Sequence, residues 1–132
     1  AGLGDEILMA SKRILIVYDE PDVAGSLKAY LEQHGPFEVR LESEGAKALE
    51  AAREFRPDLI LLDVVMPDMD GGDVAAAIEE DADVGRTPVV FLTATITKEE
   101  MESVNDIRGK PFLSKMLRLD ELLGHVQRFV GP

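Results

Sequence analysis

The sequence of 132 residues contains no cysteine and no tryptophan, and aromatic residues make up only 5% of it. Without cysteine, the chain has no disulfide scaffold, no thiolate metal site and no cysteine nucleophile. Basic residues are also few, because 14 Lys and Arg stand against 26 Asp and Glu, which gives a formal net charge of −12. Such a charge repels phosphate groups, so we expect neither nucleic acid nor anionic lipid as a direct partner.

Long hydrophobic runs are absent as well. The apolar runs are far shorter than the roughly 20 residues that cross a bilayer, and no secretory signal pattern opens the sequence. We therefore expect no membrane insertion and a cytoplasmic location. Hydrophobic residues still make up 45% of the chain, which favours one globular domain. Residues 1–10 show no hydrophobic period, so we interpret 1–10 as a flexible extension or linker remnant and 11–132 as the folded domain.

Short apolar runs alternate with amphipathic segments after residue 10. Continuous apolar runs of this length are typical of strands that are buried on both faces of a parallel sheet. Three strong runs and two weaker strand candidates are present: Ile14–Val17, Leu59–Leu62, Val89–Leu92, Phe37–Leu41 and Phe112–Leu113. Five helical patterns separate or follow them, of which the first begins at Pro21 and the weakest covers Lys98–Asp106. Strands that alternate with helices predict an α/β fold with one parallel sheet.

Polar residues follow the three strong strands at their carboxyl ends. They are Asp19, Asp63 and Thr93. In open α/β sheets this edge binds ligands. Two neighbouring carboxylates are unfavourable unless a cation separates them, and hard oxygen donors favour Mg²⁺. The pattern therefore indicates a candidate metal and phosphoryl site, although Asp is also common in turns and a structural role stays open at this point.

Four segments carry a resemblance to the receiver domains of bacterial two-component response regulators. The most specific is Asp58–Gly71, which resembles the segment that contains the phospho-acceptor of that family. Ile14–Pro21 resembles the family's opening strand, and Thr87–Ala94 resembles its switch strand. Its last strand and helix are resembled by Phe112–Lys115 with Arg118–Leu122. The resemblance covers about residues 12–130 and implies a flavodoxin-like, five-stranded parallel sheet of order 2-1-3-4-5 with five helices.

The resemblance also implies the chemistry of the site. Asp63 would accept a phosphoryl group from the histidine of a sensor kinase or a phosphotransfer protein. Mg²⁺ would be bound by Asp19, Asp63 and the backbone carbonyl of Val65. Lys115 would pair with Asp63 and then with a phosphoryl oxygen. The domain would be a signalling switch that catalyses only its own phosphorylation and dephosphorylation.

Two further residues are implied as the switch. Thr93 would hydrogen-bond the phosphoryl group, and Phe112 would move inward with it. A two-state element of this kind can be biased by a local change of charge. The resemblance implies that a downstream protein partner reads the result on the face formed by the last two helices and strand.

The sequence departs from the family at two positions. Tyr18 stands where the family has a second acidic residue, which predicts weakened Mg²⁺ binding. Met116 stands where proline usually follows the lysine. Lys110 is an alternative lysine, but Lys115 has the family's spacing from the switch hydroxyl, since 115 − 93 = 22. These departures keep open a degenerate pseudo-receiver that acts only as a protein-interaction module.

Two enzymatic or ligand-binding alternatives are weaker. A phosphatase with an aspartyl phosphate intermediate would have a second Asp two residues after the nucleophile, where this chain has Val65. A nucleotide- or flavin-binding domain would have a glycine-rich loop after the first strand, but Glu20–Asp22 would repel phosphate there. The acidic run Glu79–Asp83 is expected to be a solvated face.

Overall fold

The computed structural model describes residues 11–64, 66, 68–93, 111–114 and 118–130. The strands are β1 (Lys12–Val17), β2 (Phe37–Glu42), β3 (Leu59–Asp63), β4 (Val89–Thr93) and β5 (Phe112–Ser114). The helices are α1 (Pro21–His34), α2 (Ala48–Phe55), α3 (Gly71–Glu79) and α4 (Leu119–Val130), and a 3₁₀ turn (Gly45–Lys47) precedes α2. Among these described helices, none has the length and apolar composition of a membrane-spanning segment.

The five strands form one parallel sheet of order β2-β1-β3-β4-β5. This confirms the predicted fold class and strand order. All five predicted strands are present, and α1 begins at Pro21 as the sequence indicated, since proline suits the first turn of a helix. The fifth predicted helix, over Lys98–Asp106, lies outside the described residues.

Helices cover both faces of the sheet, which explains the continuous apolar runs. On one face, alternate residues of β1, β3 and β4 pack with α2 and α3; the buried members include Val17, Leu62, Phe91, Ala52 and Ile78. On the other face, the remaining residues pack with α1 and α4; the buried members include Ile16, Leu61, Leu92, Leu31 and Val126. Because the strands are apolar on both faces, the polar residues next to them in the sequence lie at the amino and carboxyl ends of the strands.

Reciprocal hydrogen bonds join the amino ends of β1 and β3. The amide of Arg13 donates to Oδ2 of Asp58 at 2.8 Å, and the amide of Asp58 donates to the carbonyl of Arg13 at 2.7 Å. The Arg13 guanidinium also donates to the carbonyl of Phe55 at 2.9 Å. The two central strands are therefore aligned at the edge opposite the candidate site.

The acidic run at the end of α3 differs from the expectation of a solvated face. The side chain of Asp81 is only 5% exposed and forms an ion pair with Arg53 of α2. It also accepts from the amides of Asp83 at 2.8 Å and Val84 at 3.1 Å. These hydrogen bonds, the one from Arg53 foremost, hold the pKa of Asp81 below its ordinary value. One carboxylate of the run therefore ties α2 to the loop after α3.

Candidate functional site

The strand register brings the predicted site residues to one edge of the sheet. Val17 of β1 pairs with Leu62 of β3, so Tyr18 and Asp63 each follow this pair by one residue. Asp63 in turn pairs with Leu92 of β4, the residue before Thr93. Since neighbouring strands lie about 4.8 Å apart, Asp63 and Thr93 lie at the same edge of the sheet, where β1 also ends, two residues before Asp19.

Asp63 ends the central strand and is only 1% exposed. The backbone after it is fixed on two sides, because the amide of Val64 donates to the carbonyl of Leu92 at 3.0 Å and its carbonyl accepts from the amide of Gly71 at 2.9 Å. A buried carboxylate is unfavourable unless charge or hydrogen bonds compensate it. The burial of Asp63 therefore distinguishes it from an ordinary turn residue.

Asp19 follows the last residues of β1 and is partly exposed. Glu20 and Pro21 come directly after it, and the Glu20 carbonyl accepts from the amide of Ala24 at 2.9 Å in the first turn of α1. Asp19 thus lies in the short link between β1, which pairs with β3, and α1. Asp19 and Asp63 supply two carboxylates to one edge, as the metal hypothesis requires.

Tyr18 lies in the core beneath this edge. Its amide donates to the carbonyl of Glu42 in β2 at 2.9 Å, and the residue is 5% exposed. Its ring belongs to the apolar cluster that contains Ile14 and Ile16. The position where the family has a second acidic residue therefore holds an aromatic ring that is packed against α1 and α4.

The hydroxyl and the aromatic residue of the predicted switch lie on neighbouring strands. Thr93 is 6% exposed and pairs with Ser114 of β5, which is 4% exposed. Phe112 is 5% exposed and pairs with Phe91. Ser114 was not among the residues predicted from the sequence. It shows the same pattern as Asp63 and Thr93, namely a polar residue at the end of an apolar strand.

Three other residues named from the sequence fall outside the described part of the chain. They are Val65, Lys115 and Met116, and the alternative Lys110 is also outside it. Ser114, which directly precedes Lys115, lies at the site edge beside Thr93. The roles assigned to Val65 and Lys115 remain predictions.

The donor set suits a magnesium ion. Within the described residues, no group of three or more His, Cys, Asp or Glu side chains is placed to hold a metal. Asp19 and Asp63 are the two carboxylates that the hypothesis assigns to the metal. Mg²⁺ keeps several waters and is commonly held by one or two carboxylates together with phosphate oxygens. The two residues thus fit the ion without a larger protein cage.

The loop between Asp63 and α3 is held to the rest of the domain by side chains of its own. Asp70 caps α3 by accepting from the amide of Gly72 at 2.6 Å. Asp68 accepts from the amides of Gly45 at 3.1 Å and Ala46 at 3.0 Å. These bonds, first that from Ala46, lower the pKa of Asp68 from its ordinary value. The carboxylate therefore stays ionised and keeps the loop in place.

Comparison with known proteins agrees with this geometry. A family model described as the response regulator receiver domain matches residues 14–127. The chain is 38% identical over 111 residues to the DNA-binding response regulator MtrA of Mycolicibacterium smegmatis, covering 80% of this chain and 47% of that protein. It is 36% identical over 118 residues to the response regulator Rre1 of Synechocystis, covering 89% and 51%. The chain thus spans about half the length of these relatives.

A solved structure of a similar domain contains a magnesium ion. It is the receiver domain of a sensor histidine kinase from Pseudomonas aeruginosa, with magnesium coordinated in its active-site cleft. The two chains superpose with a TM-score of 0.77 at 29% identity, covering 93% of this chain and 100% of the other. With its fold, its edge of polar strand ends and these relatives, the chain belongs to the response regulator receiver domains, which are switches of two-component signalling.

Proposed function

We propose that this receiver domain accepts a phosphoryl group on Asp63 from a phosphohistidine, with Mg²⁺ held by Asp19, Asp63 and the carbonyl of Val65. The donor would be a sensor histidine kinase or a phosphotransfer protein. The observation that supports this most is the position of Asp63, which is 1% exposed at the end of the central strand. In the sheet, β3 lies between β1, which Asp19 follows, and β4, which ends at Thr93.

The proposed transfer needs little covalent chemistry from the protein. An Asp63 oxygen forms the new O–P bond while the P–N bond to the donor histidine breaks, and the departing imidazole takes up a proton. Because a carboxylate is a weak nucleophile, the rate depends on positioning and on neutralised charge. When bound, Mg²⁺ supplies part of that neutralisation. Lys115, which follows β5 directly, would supply the rest by pairing with a phosphoryl oxygen.

The reverse signal is hydrolysis of the aspartyl phosphate. Water attacks the phosphorus atom, the O–P bond breaks, and the Asp63 carboxylate and inorganic phosphate are released. The domain thus catalyses only its own phosphorylation and dephosphorylation. This is the behaviour of a switch, in contrast to that of an enzyme with a separate substrate.

The proposed readout runs through β4 and β5. Thr93 would hydrogen-bond the phosphoryl group, and the burial of Thr93 and Ser114 side by side supports a tight connection between the two strands. Phe112 is packed in the core with Phe91. The burial of Phe112 supports its assignment to the switch, and phosphorylation would act by stabilising the inward position of its ring.

Partners and location follow from the same proposal. A downstream protein would bind the face around β5 and the last two helices, of which α4 is the described one. With a formal charge of −12, the domain itself would not bind nucleic acid. A kinase donor in two-component signalling places the domain in the cytoplasm, without membrane insertion.

The test is the mass of the intact protein after incubation with Mg²⁺ and acetyl phosphate. Wild-type protein and Asp73→Asn, which removes an exposed carboxylate of α3, should each gain one phosphoryl adduct. Asp63→Asn, an isosteric change, should gain none. An adduct that persists in folded Asp63→Asn would contradict the assignment, and so would a folded wild-type protein that gains no adduct even from a phosphorylated kinase.

A second candidate function rests on the burial of Tyr18. An aromatic ring packed in the core cannot replace the missing acidic residue at the metal. The domain would then be a pseudo-receiver that works only as a protein-interaction module. The same mass measurement separates the two functions, because the pseudo-receiver gains no adduct from any donor.

A further inference from the structure

A carboxylate outside the predicted site anchors the loop that follows Asp63 and β3. Asp68 uses both of its oxygens, because Oδ1 accepts from the amide of Gly45 and Oδ2 from the amide of Ala46, at 3.1 and 3.0 Å. Glu44, at the start of this 3₁₀ turn, forms no side-chain cap of its own. The first amides of a helical turn lack partners within the turn, so Asp68 supplies the cap from 22 to 23 residues away.

Close packing supports the same contact. Gly45 is buried, and a Cβ added to it would lie 3.1 Å from Cβ of Met69, 3.1 Å from Cγ2 of Val74 and 3.2 Å from Cε of Met66. These distances are shorter than ordinary van der Waals contacts, so an added methyl group would push these neighbours by a few tenths of an ångström. The turn and the loop are thus joined by two charge-assisted hydrogen bonds and by direct apolar contact.

The anchored loop is short. Only four residues, 64–67, separate Asp63 from Asp68. At its other end, the amide of Gly71 donates to the carbonyl of Val64 at 2.9 Å. Val64 and Asp68 are thus both tied by hydrogen bonds, and we expect a displacement of Asp68 to affect the neighbouring Asp63.

We propose that Asp68 is a positioning residue for the Asp63 site, which holds the loop against the 3₁₀ turn in the geometry that binds Mg²⁺. This inference rests on the proposed function, since it assigns Asp68 an indirect part in cation binding. Asp68 would not be a ligand of the ion, since its two oxygens accept from the amides of Gly45 and Ala46. Its contribution is the fixed position of the backbone after Asp63.

The test is titration of the full chain with Mg²⁺, followed by the ¹H–¹⁵N NMR shifts of the site amides. We expect Asp68→Ala to weaken Mg²⁺ binding by about tenfold, the lower end of what the loss of a supporting partner costs. Asp68→Asn keeps one acceptor oxygen, so its affinity should lie between those of wild type and Asp68→Ala. In both variants, the amide shifts of Gly45 and Ala46 should also move.

Two further variants separate positioning from charge and from stability. Asp73→Asn removes the same charge from an exposed position on α3 and should change the affinity by less than about twofold. Gly45→Ala changes no charge but pushes on Met66 and Met69, and it should weaken Mg²⁺ binding as Asp68→Ala does. It also tests the inference if Asp68→Ala does not fold.

The outcomes distinguish this inference from the proposed function. Wild-type affinity in folded Asp68→Ala and Gly45→Ala, with only a lower melting temperature, would overturn the positioning role and leave the proposed function standing. Equal weakening in Asp73→Asn would overturn it as well, since the effect would then be one of charge. The metal site and the inference would both be overturned if the wild-type protein showed no saturable Mg²⁺-induced shift. They would also be overturned if such a shift persisted in Asp63→Asn.

Discussion

Gly71 approaches the backbone of Asp63 so closely that no side chain fits between them. A Cβ on Gly71 would lie 2.4 Å from the Asp63 carbonyl oxygen and 2.8 Å from Cα of Val64. The atoms in the way are backbone atoms, which cannot turn aside as a flexible side chain can. A glycine is therefore required as the first residue of α3, because the backbone at the end of β3 leaves no room for a Cβ.

Gly71→Ala should consequently destabilise the domain, by about 1–3 kcal/mol for an overpacked core position. Gly25→Ala is the matched control, since nothing lies within 4 Å of an added Cβ in α1. That change should stabilise the domain by about 0.5–1 kcal/mol, because alanine is the better helix former. Urea unfolding measures both, and a stable Gly71→Ala protein would show that the close approach is absent in solution.

Tyr18→Asp should restore a second acidic residue next to Asp63. Val17 pairs with Leu62, so the residues that follow them, position 18 and Asp63, are neighbours at the site edge. A carboxylate at position 18 would therefore lie at this edge. We expect Mg²⁺ to bind roughly 10–100-fold more tightly. Loss of the buried ring should lower the stability of the metal-free protein by about 3–5 kcal/mol.

Calorimetric titration with Mg²⁺ and thermal unfolding test this pair of effects. Tyr18→Phe keeps the ring and should leave the Mg²⁺ affinity near that of wild type. If folded Tyr18→Asp binds Mg²⁺ no more tightly than Tyr18→Phe, the side chain at position 18 has no access to the ion.

Thr93→Ala should separate phosphorylation from its readout. Asp63 is retained, so the adduct should still form with acetyl phosphate. The NMR shift changes that phosphorylation causes at Phe112 and Ser114 should be lost, and Thr93→Ser, which keeps the hydroxyl, should retain them. A wild-type response in Thr93→Ala would assign the switch to another group.

The stability of the domain should fall in acid partly through Asp81. Its pKa in the folded state lies below the ordinary value of 3.8, chiefly because the Arg53 guanidinium donates to it. The stabilisation is therefore present above the unfolded-state pKa and is lost as the pH falls through the folded-state pKa. Urea midpoints from pH 6 downward should show Asp81→Asn less stable than wild type at pH 6, with a difference that shrinks in acid.

Asp83→Asn is the control for this pH dependence. Asp83 forms only a long ion pair of 3.9 Å with Arg56, and both side chains are more than half exposed. Exposed pairs of this kind contribute little to stability. An equal loss in Asp83→Asn would indicate a general effect of net charge in place of the Asp81 contact.

Local patterns were sufficient to predict the sheet and the edge residues. β3 and β4 are buried on both faces, so each appears as a continuous apolar run, and the polar residue that follows each run is Asp63 or Thr93. The edge position of Asp19 follows from the same rule for β1. These features depend on neighbouring residues in the sequence, which is why they were predictable.

Contacts between distant segments were not predictable in this way. Asp68 meets Gly45, and Asp81 meets Arg53 28 residues earlier, only after the helices have packed. The burial of Tyr18 was accessible from the sequence, since the two-residue period of a strand places it on the face of Ile16.

The hydrogen-bonded pair Arg13–Asp58 has a consequence for the opposite edge of the sheet. Apolar faces on both sides give β1 and β3 little resistance to sliding by one residue, because one apolar side chain would replace another. The reciprocal bonds at their amino ends remove that freedom. The alignment of Asp63 with the end of β1 is thereby determined by the number of residues from the far edge, so a one-residue deletion within β3 would preserve the pair and move Asp63 from its place beside Tyr18 to one beside Val17.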